Sequence, residues 1–173
     1  MSKILITGGL GYVGSHTCLQ FLEKGFEVIA YDLLLYSEIK TFYKIQTLIR
    51  EINPNLVKNF SFVKGDIRDE QLLSEVFLKN RLQGNKIQGV IHFAGLKSVE
   101  RSVEDPLLYW DFNVKGTINL LKVMENNNCK KIVFSSSATV YGESNNKLLD
   151  EQTVLNPRNP YGDSKLAIEK ILT

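Results

Sequence analysis

Cysteine is scarce in this 173-residue chain, and Cys18 and Cys129 stand far apart with no C-x-x-C pair. They read as small core or surface thiols of a reducing compartment. Histidine is equally sparse, with His16 and His92 alone, and no cluster has metal-ligand spacing, so no metal is expected. An excess of one charge is missing too: 21 Lys and Arg face 19 Asp and Glu, for a formal charge of +2 and no block of like sign. That balance argues against nucleic acid or an anionic membrane as the main partner. Nor is there a long apolar run. Met1-Ser2-Lys3 leads straight into an apolar stretch too short for a signal or a membrane span, so a soluble, cytoplasmic protein is expected. Internal repeats and low-complexity linkers are also absent, and 43% hydrophobic residues suits one globular domain.

What is present is an alternation of strand and helix. Ile4-Leu5-Ile6 is a short apolar run that fits a strand buried on both faces. Val13, Thr17 and Phe21 recur at helical spacing, and Gly25 stops that helix. Val28-Ile29-Ala30-Tyr31 is a second strand ending at Asp32, and residues 37–52 read as a helix broken by Asn53-Pro54-Asn55. Phe60-Ser61-Phe62-Val63 is a third strand, after which Asp69 can cap a helix carrying Leu72, Leu73, Val76 and Phe77. Val90-Ile91-His92-Phe93-Ala94 is a fourth strand. Asp105-Pro106 opens a long helix reaching about Asn126, and Ile132-Val133-Phe134 is a fifth strand. Right-handed crossovers then imply a Rossmann-like α/β fold: a doubly wound parallel sheet in a three-layer α/β/α arrangement. Residues 164–173 form an apolar-striped helix with no strand after it. The chain is therefore expected to be one domain, 1–173, truncated at its C-terminus.

Thr7-Gly8-Gly9-Leu10-Gly11-Tyr12-Val13-Gly14 satisfies both Gly9-x-Gly11-x-x-Gly14 and Gly8-x-x-Gly11-x-x-Gly14. Such glycines permit a tight turn, bring a pyrophosphate onto bare backbone, and let the helix pack on the strand, while the helix N-terminus offers N–H donors. Glycine-rich turns also close ordinary βα units, but this one is followed by Asp32 at the next strand end. A carboxylate there accepts ribose hydroxyls and repels a 2′-phosphate, so NAD is expected over NADP. Asp66, in Gly65-Asp66-Ile67-Arg68-Asp69, is a turn residue on one reading and an acceptor for the adenine amino group on the other.

Tyr161-Gly162-Asp163-Ser164-Lys165 places a phenol and an ammonium on one helical face, and an ammonium beside a phenol favours the phenolate. With seven tyrosines in the chain, a chance Tyr-x-x-x-Lys is expected, and Tyr36-x-x-x-Lys40 is a second match. Only Tyr161 has Pro160 before it and the serine run Ser135-Ser136-Ser137 upstream; Tyr36 reads as a solvated face. Tyr161 as general base, Lys165 beside it and Ser137 on the same substrate oxygen describe proton removal from an alcohol. His92 reads as a core or supporting residue, His16 as structural, and Asp150-Glu151 as a solvated loop. Lys97 follows the fourth strand within reach of a pyrophosphate. Asn113 is either an exposed polar residue or a buried orienter of a strand or loop.

These motifs resemble the extended short-chain dehydrogenase/reductases, and within that family the branch that epimerises UDP-glucose and UDP-galactose at C4. The resemblance runs through residues 6–17, through Val90-Ile91-His92-Phe93-Ala94-Gly95-Leu96-Lys97-Ser98-Val99, through Phe134-Ser135-Ser136-Ser137-Ala138-Thr139-Val140-Tyr141-Gly142, and through Asn156-Pro157 to Lys165. It implies Gly8, Gly11 and Gly14 at the pyrophosphate with Tyr12 and Val13, and Asp32 on the adenosine ribose. It implies Asp66 and Ile67 at the adenine, with Phe93, Ala94, Gly95, Lys97, Asn113 and Ser135 completing the cofactor set. Ser137, Tyr161 and Lys165 would be catalytic, and Lys97, Ser137, Thr139 and Tyr161 would meet the sugar nucleotide. A homodimer is implied for the full-length form. Leu33-Leu34-Leu35-Tyr36 departs from the family's polar turn after the acidic residue, and the family is about twice this long. Ala138-Thr139 stand where the related dehydratases need an acid–base pair, which argues against elimination. The rivals are a non-catalytic NAD-binding module or truncated pseudoenzyme, and a sugar-nucleotide dehydrogenase that releases NADH.

Overall fold

A computed structural model describes residues 2–143 and 148–173. Met1, named above in the search for a leader, lies outside the described residues. The chain divides into two compact units. The first runs to Ala94 and resumes at Asn119–Phe134; the second comprises Gly95–Ile118 with the described residues of Ser135–Thr173.

The first unit contains the sheet. Its strands are β1 (Lys3–Thr7), β2 (Glu27–Asp32), β3 (Phe60–Lys64), β4 (Ile87–His92) and β5 (Ile132–Phe134). They pair in parallel in the order β3-β2-β1-β4-β5. Alternate residues of each strand feed opposite layers. On one face Ile4, Ile6, Val28 and Ala30 pack with Cys18 and Leu22 of α1 (Tyr12–Glu23) and Ile45 and Ile49 of α2 (Lys40–Ile52). On the other face Leu5, Ile29, Tyr31 and Val90 pack with Leu73, Val76 and Phe77 of α3 (Glu70–Leu82) and with Leu120, Val123 and Met124 of α6 (Gly116–Asn126). This is the doubly wound, three-layer arrangement the alternation implies. The strand order reverses at β1, and in such sheets ligands bind beyond the carboxyl ends of the strands at that switch point. Register puts Thr7 opposite both Tyr31 and His92, which fixes that edge.

The second unit holds α4 (Val99–Glu104), α5 (Pro106–Tyr109), a π-helical turn at Trp110–Lys115 that leads into α6, a 3₁₀ turn at Ala138–Tyr141, and α7 (Pro160–Leu172). Asp69 caps its helix as expected, and Asp105 and Asn159 cap theirs in the same way. Asp69 accepts from the Leu72 N–H at 2.9 Å, Asp105 from Leu108 at 3.1 Å, and Asn159 from Gly162 at 2.9 Å. Each satisfies one of the donors a helix start leaves open.

Four details differ from the sequence reading. The buried stripe of α1 is Gly14, Cys18 and Leu22, and Val13 is 55% exposed, because the close packing of Gly14 turns the helix one position round. α2 begins at Lys40 and not at 37, since Leu34 takes a left-handed φ of 62° and residues 35–39 form the turn that follows. α4 occupies a stretch with no strong apolar period, and its start is set by Ser98, which accepts from the Arg101 N–H. On α7, Ile171 is exposed, and the buried side carries Gly162, Ser164 and Lys165 beside Ile168. Among the described residues no helix is long and apolar enough to cross a membrane.

Candidate functional site

In the first unit the glycine turn is built from contacts that side chains would destroy. A Cβ on Gly14 would lie 2.1 Å from the Gly8 carbonyl oxygen, so α1 can sit against β1 only with hydrogen there. Gly8 has φ +65°, and a Cβ on it would meet the Ala94 amide nitrogen at 2.8 Å. Its own N–H is held by the Tyr31 carbonyl at 2.8 Å. Beneath the turn the buried Cys18 thiol donates to the Gly9 carbonyl at 3.4 Å, and burial pushes that thiol up to about 12, so it stays neutral. Gly11 precedes the helix without a side-chain cap, leaving the first-turn N–H groups of α1 for a ligand. A cradle of bare backbone closed by a helix N-terminus fits a dinucleotide pyrophosphate. Tyr12 is 82% exposed beside it, its ring edge-on to His16 with centroids 5.2 Å apart.

Asp32 ends β2 with its carboxylate fixed from two sides. Oδ2 accepts from the Leu10 N–H at 3.0 Å, and Oδ1 accepts from the Leu34 N–H at 2.9 Å and the Ser37 hydroxyl at 2.7 Å. The apolar run after Asp32 thus still supplies a backbone donor to it. Asp66 is gripped by its neighbour: the Arg68 N–H donates at 2.9 Å and the guanidinium at 2.6 Å. Ile67 is buried in the core with Tyr31 and Leu73. At the ends of β1 and β4, Thr7 Oγ1 lies 2.6 Å from His92 Nδ1 and accepts from the Ala94 N–H at 3.3 Å. His92 is therefore a core tie beside Phe93 and Ala94, as read from its apolar strand.

The second unit carries Tyr161, Lys165 and Ser137. Lys165 is buried, and its Nζ donates to the Ser135 carbonyl at 3.1 Å while lying 5.9 Å from the centroid of the Tyr161 ring. Burial pushes the ammonium down to about 8. Tyr109 packs edge-on to Tyr161 with centroids 6.4 Å apart. Ser137 opens the 3₁₀ turn, where its Oγ accepts from the Thr139 hydroxyl at 2.9 Å, which frees the serine proton for another acceptor. Gly162 lets α7 approach that turn: a Cβ there would meet the Thr139 carbonyl oxygen at 2.9 Å.

Asn113 is the buried orienter of the two readings. Its Oδ1 accepts from the Leu96 N–H at 2.8 Å, and its Nδ2 donates to the Leu96 carbonyl at 3.1 Å and to Ser164 Oγ at 3.0 Å. It sits in the π-helical turn, whose wider winding brings this side chain onto the Gly95-Leu96-Lys97 loop. Lys97 itself is exposed.

The predicted residues thus fall into two sets. Gly8, Gly11, Tyr12, Val13, Gly14, Asp32, Asp66, Ile67, Phe93 and Ala94 belong to the first unit; Gly95, Lys97, Asn113, Ser135, Ser137, Thr139, Tyr161 and Lys165 belong to the second. The internal control behaves differently. Tyr36 lies outside α2 and is exposed, and Lys40 pairs with Glu38 at 2.6 Å. Sequence reasoning missed the tie between Ser136 and Glu169. Glu169 stands four residues beyond Lys165, the same spacing that singled out Tyr161.

Known proteins match this chain over nearly its whole length. A family model described as GDP-mannose 4,6 dehydratase matches residues 5–173. UDP-glucose 4-epimerase 2 of Oryza sativa subsp. japonica is 46% identical over 168 residues, covering 97% of this chain and 39% of that protein. A bifunctional UDP-glucose 4-epimerase and UDP-xylose 4-epimerase of Pisum sativum is 44% identical, covering 98% and 46%. The crystal structure of UDP-glucose 4-epimerase from Bifidobacterium longum, in complex with NAD+ and UDP, superposes with a TM-score of 0.88 at 41% identity, covering 99% of this chain and 48% of that one. The chain spans about half the length of the relatives it matches. The resemblance carried by the sequence motifs is borne out, and the chain belongs to the family described by the GDP-mannose 4,6 dehydratase model, in which its matched relatives are UDP-glucose 4-epimerases.

Proposed function

We propose that the complete protein is an NAD-dependent epimerase acting at C4 of a UDP-sugar, interconverting UDP-glucose and UDP-galactose. The observation that carries this reading is the Lys165 ammonium buried beside Tyr161 on a helix that packs, at Gly162, against the turn opened by Ser137, whose hydroxyl already accepts from Thr139. Further support comes from the names of its relatives and from neighbours crystallised with NAD, among them the Bifidobacterium longum enzyme and one from Thermus thermophilus. The glycine cradle, the uncapped α1 start and Asp32 would hold NAD, with Asp66 toward the adenine. When bound, NAD supplies reversible acceptance of hydride from the sugar. Tyr161 takes the proton of the C4 hydroxyl and later returns it. Lys165 favours the phenolate by its charge, and Ser137 orients the same oxygen through the proton that Thr139 leaves free.

Elimination chemistry, the activity named in the family description, finds little support at 138 and 139. Ala138 has no ionisable group, and the Thr139 hydroxyl is spent on Ser137. A cytoplasmic homodimer belongs to the same proposal. The test is to incubate the complete protein with UDP-glucose and NAD while following UDP-galactose and absorbance at the NADH band. Galactose product without NADH build-up supports the epimerase. NADH accumulating in step with substrate loss would make it a dehydrogenase, and NAD binding without turnover would make it a non-catalytic module.

A further inference from the structure

Helix α7 bears Tyr161, Lys165 and Glu169 at successive intervals of four residues, so the three follow one stripe along it. Two of them hold the serine run directly. Lys165 Nζ donates to the Ser135 carbonyl at 3.1 Å, and the Ser136 hydroxyl donates to the Glu169 carboxylate. Ser136 and Glu169 are both half-buried, so the bond lies where water competes weakly. Residues 135 and 136 are thereby tied to consecutive turns of α7. The next residue, Ser137, is extended (φ −151°, ψ 144°) and immediately enters the 3₁₀ turn. Little slack separates the Glu169 tie from the hydroxyl assigned to the substrate oxygen.

We propose that Glu169 is a positioning residue for catalysis: acting through Ser136, its carboxylate sets the height of Ser137 along α7 relative to Tyr161. The inference rests on the epimerase reading above. Glu169 touches neither substrate nor cofactor in it. Lys165 holds the run at one carbonyl, and the Glu169 tie adds a second point of attachment one helical turn on. Misplacement of a reacting group by about 1 Å is enough to cost about 100-fold in rate.

A double-mutant cycle in the complete protein separates this role from simple stabilisation. Glu169→Ala should lower kcat by about tenfold to a hundredfold while leaving the KM for UDP-glucose and the NAD affinity little changed. Glu169→Gln keeps an accepting oxygen and should recover most of the rate. In a Ser137→Ala background the same Glu169→Ala change should cost less than about twofold, because the group it positions is gone. Ser136→Ala removes the other half of the tie and should repeat the pattern; it carries the test if Glu169→Ala does not fold. An equal fold-loss from Glu169→Ala with and without Ser137 would overturn the proposal, as would a parental kcat in Glu169→Ala while Tyr161→Phe is inactive. A parental rate in Tyr161→Phe would instead overturn the epimerase reading beneath it.

Discussion

At Gly14 one added methyl group would be too much: its carbon would lie 2.1 Å from the Gly8 oxygen, and the obstacle is backbone that cannot swing aside. We predict that Gly14→Ala destabilises the protein by about 1–3 kcal/mol, the usual cost of overpacking, read as a lowered denaturant midpoint. It should also weaken NAD binding, because α1 must retreat from the turn it closes. Asp32 supports a second prediction. Three donors fix its carboxylate at the end of β2, so it cannot rotate away from a 2′-phosphate. NAD should bind more tightly than NADP, and titration of the two gives the answer. Equal affinity would count against the assignment. Both residues were legible in the sequence because glycine spacing and an acid about 20 residues on encode a backbone shape directly. The donors that hold Asp32 were not, since two of the three are main-chain N–H groups, which carry no residue signature.

Helix α7 carries Tyr161 and turns polar residues inward. Pro160 marked its start in the sequence, whereas the Asn159 cap and the burial of the helix were not legible. The side turned inward is Gly162, Ser164, Lys165 and Ile168, and an inward lysine defeats any reading based on apolar period. The same holds for the π-helical turn. Nothing in Trp110-Asp111-Phe112-Asn113-Val114-Lys115 departs from helical composition, so the wider winding that brings Asn113 onto Leu96 left no local mark. Asn113→Leu should cost about 1–3 kcal/mol, because it leaves the buried Leu96 N–H without its acceptor.

The buried Lys165 makes a pH prediction. Its ordinary value of 10.5 falls to about 8 in the folded protein, through loss of hydration. Between those values the unfolded chain holds a proton that the folded chain has lost, so this residue makes stability rise with pH from about 8 toward 10.5. Below about 8 both states are charged and the slope vanishes. The buried Cys18 thiol, pushed up to about 12, opposes the trend above its ordinary 9.0, so the contribution must be isolated by difference. Denaturant midpoints of the parent minus those of Lys165→Met, taken from pH 7 to 10, should rise through this window. A flat difference would mean that Lys165 is fully hydrated.

For the molecule as a whole, the fold was legible because each layer of the sheet takes alternate residues of short apolar strands, and strands that alternate with helices leave few ways to wind. The glycine turn and the tyrosine–lysine pair were legible as local spacings. What escaped were ties between distant segments, such as Asn113 to Leu96 and Ser164, and Glu169 to Ser136, whose partners are matched by folding and not by period. NAD at about 100 times its dissociation constant should stabilise the protein by about 2.7 kcal/mol, visible as a raised melting temperature.

The central claim is that Tyr161 is the base of a nucleotide-sugar epimerase, and the chain carries its own control in Tyr36, exposed and outside α2. The direct measurement is the rate of UDP-glucose to UDP-galactose interconversion by Tyr161→Phe and Tyr36→Phe in the complete protein, with NAD affinity determined for both. Tyr161→Phe should lose about 10²–10⁴-fold in kcat while still binding NAD, since the ring and its packing on Tyr109 survive and only the proton acceptor is gone. Tyr36→Phe should keep the parental rate. A Tyr161→Phe protein that epimerises at the parental rate, or a Tyr36→Phe protein equally impaired, would contradict the account.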